Sequence, residues 1–444
     1  MTIYALSSGS GISGLAVIRV SGKQCINILK LMVSGSIPPP RTSTVKKINK
    51  INTNETIDTG LVIWFPAPHS YTGEDVIEFH VHGSLAVIKE IQNSLSQIEN
   101  CRLADPGEFT KIAFQNGKIN LLQAESIGDL IASETEIQRR QALDIMSGYH
   151  GKKYENWRSK LLKILANVEA KIDFPEDDLP EEIIDEIHSI SNQVKDEIKK
   201  ALNDEKVGER IREGFKIAIL GPANAGKSSL LNYFSKREVA IVSEIAGTTR
   251  DVIETHLNIN GYPVIMSDTA GIRDAKDEIE RRGIKLALKK AEDADLNIVV
   301  IEPKNGYFTG VLKGLVNSEK TILIVNKSDL GLDSIEKELK KFNPIYISIT
   351  KETNLDQLIL EIRNRLKNKF TSSENTIITR ERHRQHLVNC VKHLEDFETK
   401  NNLDDFDKSA EDLRLATRQL GMIVGKIDVE EILGSIFNDF CIGK

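Results

Sequence analysis

The segment "GPANAGKSS", residues 221–229, decides what the middle of this chain is. It follows an apolar run of strand character, "FKIAIL" (215–220), and leads into "KSSLLNYFSKRE" (227–238), whose apolar spacing predicts a helix. A strand, a glycine-led loop and a helix form the context in which G-x-x-x-x-G-K-S cradles phosphate. Gly221 and Gly226 let the backbone wrap so that N–H groups point inward at a helix N-terminus. Lys227 adds a point charge for the β and γ phosphates, and the Ser228 hydroxyl can ligate Mg²⁺.

Further elements follow in the order of a small GTPase-type domain. "GTTRD" (247–251) supplies Thr249, a second hydroxyl for Mg²⁺, and "DTAG" (268–271) places Asp268 for the metal's outer sphere and Gly271 for the γ-phosphate. "NKSD" (326–329) selects the base, because the Asp329 carboxylate can accept from both the ring N–H and the exocyclic amine of guanine. Adenine offers no such donor pair and would leave the carboxylate unpaired. "SIT" (Ser348, Ile349, Thr350) is the expected last base-contact loop. The residue after Gly271 is Ile272 rather than the glutamine that orients water in Ras-like enzymes, so another group must position the nucleophile.

The short β-runs "FKIAIL", "PVIMSD", "LNIVVI" and "KTILIVNKSD" alternate with helical segments, the pattern of a mostly parallel sheet covered on both faces. Upstream, residues 1–118 mix β-runs ("GLAVIRVSG", "TGLVIWFPAP", "DVIEFHVHG") with one helical stretch, "SLAVIKEIQNSLSQI", and predict an α+β domain. From Leu121 the period becomes helical, and it returns near Thr376 and runs to the end. The expected architecture is therefore multidomain α/β: an N-terminal domain (1–118), a discontinuous helical domain (119–212 and 374–444), and an inserted Ras-like P-loop domain (213–373).

A chain of 444 residues, 40% hydrophobic and 28% charged, has the composition of a soluble globular protein and is long enough for two or three domains. Its net charge of −6 provides no global basic footprint for nucleic acid, although the first fifty residues carry seven Lys/Arg and no acid. The acidic run "FPEDDLPEEIIDE" (174–186) reads as a solvated helix face. Four cysteines without C-x-x-C spacing suggest neither a disulfide framework nor a zinc site. With no transmembrane-length run and no signal-like N-terminus, the expectation is a cytoplasmic protein with no membrane partner. "HVH" (His80, His82) places two imidazoles on one strand face, but no third ligand type lies nearby to make a metal site.

Taken together, "NAGKSS", "IAGTTRD", "DTAGIRDAKDEIERRGI" and the ending "FCIGK" resemble the MnmE (TrmE) family of bacterial tRNA-modifying GTPases, within the TrmE-Era-EngA-YihA-Septin-like superfamily. "AVIRVSG", "SYTGEDVIEFHVHGS", "DPGEFTKIAFQNGKINLLQAESIGDLI" and "AKIDFPEDD" extend the resemblance over nearly the whole chain. It implies a GTP site formed by Asn224, Ala225, Gly226, Lys227, Ser228 and Ser229; Ser243, Glu244, Ile245, Ala246, Gly247, Thr248 and Thr249; Asp268, Thr269, Ala270 and Gly271; Asn326, Lys327 and Asp329; and Ser348, Ile349 and Thr350. Mg²⁺ would be held by Ser228 and Thr249, and K⁺ by Asn224, Ser243, Ile245 and Thr248, the cation offsetting charge that develops in the transition state. Glu280 maps to the family's water-positioning glutamate and, with Lys227, completes the expected catalytic pair.

The resemblance also implies a folate-binding N-terminal domain with Arg19, Glu78, Lys118 and Lys444 at its site, taking 5,10-methylene- or 5-formyl-tetrahydrofolate. A pterin presents the same amine and ring N–H pair as guanine, which suits Glu78, while the cationic residues suit the folate's carboxylates. The implied assembly is a homodimer joined through the N-terminal domains. It would work with the flavoprotein MnmG (GidA), which carries FAD and uses NADH, in a heterotetrameric or larger complex. The substrate would be tRNA, modified at C5 of the wobble uridine. Gly443 and the terminal Lys444 fit a prenylation signal poorly, and no polybasic stretch leads into Cys441, which argues against prenylation and leaves a functional thiol or a packed helix end. The rival reading is a GTP-dependent regulatory or ribosome-assembly switch, but no KH pattern or second phosphate loop accompanies the P-loop.

Overall fold

A computed structural model describes residues 1–173, 181–236, 254–268, 278–303, 310–331, 339–370, 376–399 and 406–427, together with 433, 436–437, 440 and 443. It divides into two compact units, residues 1–128 with 145–183 and 396–444, and residues 129–144 with 184–395.

In the first unit the chain runs β1 (Thr2–Leu6), β2 (Ser13–Ser21), α1 (Cys25–Met32), β3 (Thr44–Asn49), β4 (Thr56–Phe65), β5 (Val76–Gly83), α2 (Leu85–Ser96), β6 (Cys101–Leu103) and α3 (Glu108–Gln115). The six strands form one sheet in the order β3-β4-β5-β2-β1-β6, antiparallel except for the β1–β6 pair. Period-2 alternation fixes its two faces. Ile18 and Val20 of β2 and Ile77 and Phe79 of β5 bury against Ile28 and Leu29 of α1 and Ile91 and Leu95 of α2. The intervening residues, Arg19 and Glu78 among them, face the other way, on the side where Ile3, Ala5 and Phe109 of α3 make a smaller cluster.

Sequence reading found only one of these three helices. The other two are eight residues long, too short for a helical period to stand out from strand alternation.

The helical stretch after Leu121 is broken into α4 (Leu121–Ala132) and α5 (Glu136–Met146). The break is a capping box, in which Gln138 N–H donates to Thr135 Oγ1 (3.4 Å) and Gln138 Oε1 accepts from Thr135 N–H (3.0 Å). Then come α6 (Tyr149–Asp173), α7 (Glu181–Leu202) and α8 (Val207–Glu213). Of the acidic run, 174–180 lie outside the described residues, and Glu181 opens α7.

The nucleotide domain follows as β7 (Phe215–Leu220), α9 (Lys227–Lys236), β8 (Glu254–Ile259), β9 (Tyr262–Asp268), α10 (Glu278–Asp293), β10 (Leu296–Ile301), α11 (Gly310–Val316), β11 (Thr321–Val325), β12 (Ile345–Tyr346) and α12 (Leu355–Phe370). Its sheet has the order β12-β11-β10-β7-β9-β8 and is parallel except for the β8–β9 hairpin. Buried side chains line both faces, and every residue of β10 and β11 is buried, which explains their predominantly apolar, non-alternating runs. The hairpin strand β8, "ETHLNI", was not anticipated, because its polar residues mask the alternation.

Two helices close the described chain, α13 (Glu381–Thr399) and α14 (Phe406–Val424). Within the first unit α14 packs along α6, burying Leu413, Leu420 and Ile423 with Tyr154, Trp157, Leu161 and Ile164. No helix among the described residues is long and apolar enough to cross a membrane.

Candidate functional site

The C-terminal ends of the parallel strands carry the nucleotide motifs, as expected for an open α/β sheet. Gly221 and Gly226 have φ of +143° and +100°. A Cβ on Gly221 would stand 2.1 Å from the Val300 carbonyl oxygen, and one on Gly226 would stand 2.2 Å from Asn326 Nδ2. The loop therefore presses against β10 on one side and the base motif on the other, and only glycine fits either contact.

Lys227 begins α9, is 7% exposed, and donates through Nζ to the Pro222 carbonyl (3.0 Å), so its ammonium lies over the loop it serves. Ser228 donates through Oγ to Asp268 Oδ2 at 2.6 Å. The other carboxylate oxygen, Asp268 Oδ1, is buried without a hydrogen-bond partner. A hydroxyl beside a carboxylate with an unsatisfied buried oxygen suits a hydrated Mg²⁺, ligated by Ser228 with Asp268 accepting from its water. These residues fit the ion, which when bound would neutralise phosphate charge.

Asn326 is 3% exposed and holds three segments together. Its Nδ2 donates to the Ala225 carbonyl (2.9 Å), its Oδ1 accepts from Ile349 N–H (3.3 Å), and its own N–H donates to the Ile301 carbonyl (2.8 Å). Asn326 thus joins the phosphate loop, the end of β10 and the Ser348–Thr350 loop; the sequence placed it at the nucleotide but did not reveal this bracing. Lys327 takes φ +59° and pairs through Nζ with Glu302 Oε2 at 2.5 Å. Asp329 stands exposed on the single 3₁₀ turn Ser328–Leu330, where its carboxylate is open to a base. Ser348 is buried and accepts from Lys351 N–H at 3.2 Å, whereas Thr350 is exposed. Asn224 has φ +67° and is exposed, as are Ser228 and Ser229.

Ser243, Glu244, Ile245, Ala246, Gly247, Thr248 and Thr249 lie outside the described residues, as do Thr269, Ala270, Gly271, Cys441 and Lys444. Glu280 is placed by its backbone in the first turn of α10, and its side chain also lies outside the described residues.

A second cluster sits on the sheet face of the N-terminal domain. Arg19 and Glu78 are direct register partners on β2 and β5, and Arg19 Nε and Nη2 donate to Glu78 Oε1 at 3.0 and 2.9 Å. His80 Nε2 lies 3.2 Å from Glu78 Oε2. The Arg19 guanidinium lies 5.4 Å from the Tyr71 ring centre and 5.8 Å from that of Phe109, a cation–π arrangement sequence reading missed. Tyr71 hydrogen-bonds Thr110 Oγ1 (2.8 Å), and burial pushes its hydroxyl pKa up. Lys118 donates to the Pro68 carbonyl at 2.9 Å, and His82 on β5 is taken up at 3.0 Å by Asp58 on the adjacent β4.

Comparison with known proteins places the whole chain. A family described as "GTP-binding protein TrmE N-terminus" matches residues 2–118, and one described as "MnmE helical domain" matches residues 121–441. The chain belongs to the MnmE family. It is 65% identical over 444 residues to the tRNA modification GTPase MnmE of Pelagibacter ubique, with all of both chains covered. It is 44% identical over 448 residues to the protein of that name from Rickettsia bellii and 43% identical over 445 residues to that from Parvibaculum lavamentivorans, again over the full length of each. As a member of this family with an intact P-loop and base motif, the chain is a GTPase.

Proposed function

We propose that this chain hydrolyses GTP to drive the addition of a carboxymethylaminomethyl or aminomethyl group at C5 of the wobble uridine of certain tRNAs. The full-length match to tRNA modification GTPases supports the reaction class. The observation that carries the folate part is the Arg19–Glu78 pair flanked by Tyr71 and Phe109. Glu78 Oε1 accepts from both Arg19 nitrogens, whereas Oε2, with its one contact to His80, keeps a lone pair to accept a donor N–H of a pterin. The two rings offer stacking surface, and Lys118 and Lys444 would meet the folate's carboxylates.

In this reading residues 1–118 form the folate and dimerisation domain, 119–212 with 374–444 the helical domain, and 213–373 the GTPase domain. The protein acts as a homodimer with the flavoprotein MnmG, whose FAD and NADH carry the redox work. K⁺ held by Asn224, Ser243, Ile245 and Thr248 offsets charge at the β–γ bridge, and Glu280 positions the attacking water. GTP turnover shifts the G domains between open and closed populations and takes no part in the carbon chemistry itself.

The test is calorimetric titration of the purified protein with 5-formyltetrahydrofolate, beside Glu78→Ala and Glu78→Gln. Binding that both variants lose supports one-carbon transfer. A folded protein that hydrolyses GTP and binds no folate would instead be a GTP-driven regulatory or ribosome-assembly switch.

A further inference from the structure

Glu302 belongs to none of the nucleotide motifs, yet it stands directly behind the base-recognition loop. It follows Ile301, the last residue of β10, and that strand is locked to β11 by the Ile301–Val325 register and by the Asn326 N–H bond to the Ile301 carbonyl. Its side chain is 12% exposed, and Oε2 lies 2.5 Å from Lys327 Nζ. Lys327 is the one residue of "NKSD" with a left-handed backbone, a conformation that a lysine keeps only when its surroundings enforce it. The loop is gripped before and after that point, by Asn326 on the Ala225 carbonyl (2.9 Å) and by Ser328 N–H on the Ile347 carbonyl (3.0 Å). The next residue is Asp329, on a turn closed by Leu330 N–H to the Lys327 carbonyl (3.0 Å).

We infer that Glu302 is a positioning residue for guanine recognition: its carboxylate holds Lys327, and with it the turn that carries Asp329, in the conformation that reads the base. This rests on the reading of Asp329 as the acceptor for guanine's ring N–H and exocyclic amine. A fixed carboxylate meets both donors at once, whereas one on a loosened turn meets them only part of the time. Releasing Lys327 therefore lowers affinity for guanine more than for hypoxanthine, which lacks the amine.

The experiment is titration of nucleotide-free full-length protein with GDP and IDP, with steady-state GTP hydrolysis alongside. Glu302→Gln is expected to weaken GDP binding about tenfold, the scale of one charge-assisted hydrogen bond, and to lower the GDP-to-IDP affinity ratio. KM for GTP should rise while kcat stays within about twofold, the signature of lost binding rather than lost chemistry. Glu302→Asp keeps the charge and should retain most of the ratio, and Glu302→Gln combined with Lys327→Met should bind no worse than Lys327→Met alone. GDP affinity of Glu302→Gln within about twofold of wild type, or an equal loss for GDP and IDP, overturns the inference. Asp329→Asn, if it leaves the GDP-to-IDP ratio unchanged, refutes the underlying assignment of Asp329 separately.

Discussion

Replacing Gly226 with alanine tests whether the phosphate loop and the base loop are one mechanical unit. The added Cβ would stand 2.2 Å from Asn326 Nδ2, inside any real carbon–nitrogen contact, and φ at this position is +100°. Asn326 is almost fully buried, so it cannot move away without losing its 2.9 Å bond to the Ala225 carbonyl. Loss of that buried bond costs about 1–3 kcal/mol, and a non-glycine residue held in a disfavoured backbone region costs about 1–3 kcal/mol more.

Empty protein can relieve part of the strain by opening the loop, but nucleotide requires the closed cradle, so the penalty falls mainly on binding. The lower end of the sum, about 2 kcal/mol, corresponds to roughly thirtyfold weaker binding. Titration with a fluorescent GDP analogue measures it, with thermal unfolding to confirm the fold. Gly261→Ala is the matched control, because Gly261 also has positive φ (+92°) in the β8–β9 turn but has open space around its Cβ position. GDP affinity of Gly226→Ala within threefold of the Gly261→Ala value would refute the reasoning.

Two other perturbations follow from the structure. Arg384 spreads its guanidinium over Glu209 (2.7 Å to each oxygen), Asp204 (2.6 Å) and the Leu202 carbonyl (3.1 Å), at the point where α8 leads into the nucleotide domain. Arg384→Met leaves a nearly buried Glu209 uncompensated and should cost about 3–5 kcal/mol in urea unfolding, much of it restored by adding Glu209→Leu; a loss below about 1 kcal/mol would show that the cluster is not structural. Glu280→Ala should bind GTP normally and lose most hydrolysis, read by single-turnover phosphate release, and unchanged turnover would remove Glu280 from the catalytic role.

Much of this molecule was legible in its residues because the informative signals are short-range. The P-loop is nine consecutive residues whose spacing and glycines dictate its shape, and β10 and β11 announced a doubly covered sheet by being predominantly apolar without period-2 alternation. Where the local signal was weak, reading failed for identifiable reasons. The helices α1 and α3 have too few turns to show a period, and β8 pairs antiparallel at the sheet edge with polar residues on its open side.

The sequence alone settled the family and the guanine nucleotide, and alternation along a strand put His80 and His82 on one face. It could not settle which residues meet, because partner choice depends on register between segments far apart in the chain. The Arg19–Glu78 pair spans 59 residues, the Asn326–Ala225 bond 101, and the Arg384–Glu209 pair 175. Only the tertiary structure showed that Asn326 braces the phosphate loop, that Glu302 grips Lys327, and that two aromatic rings flank Arg19. Each of these contacts forms when packing brings distant segments together, and no local pattern in either segment encodes its partner.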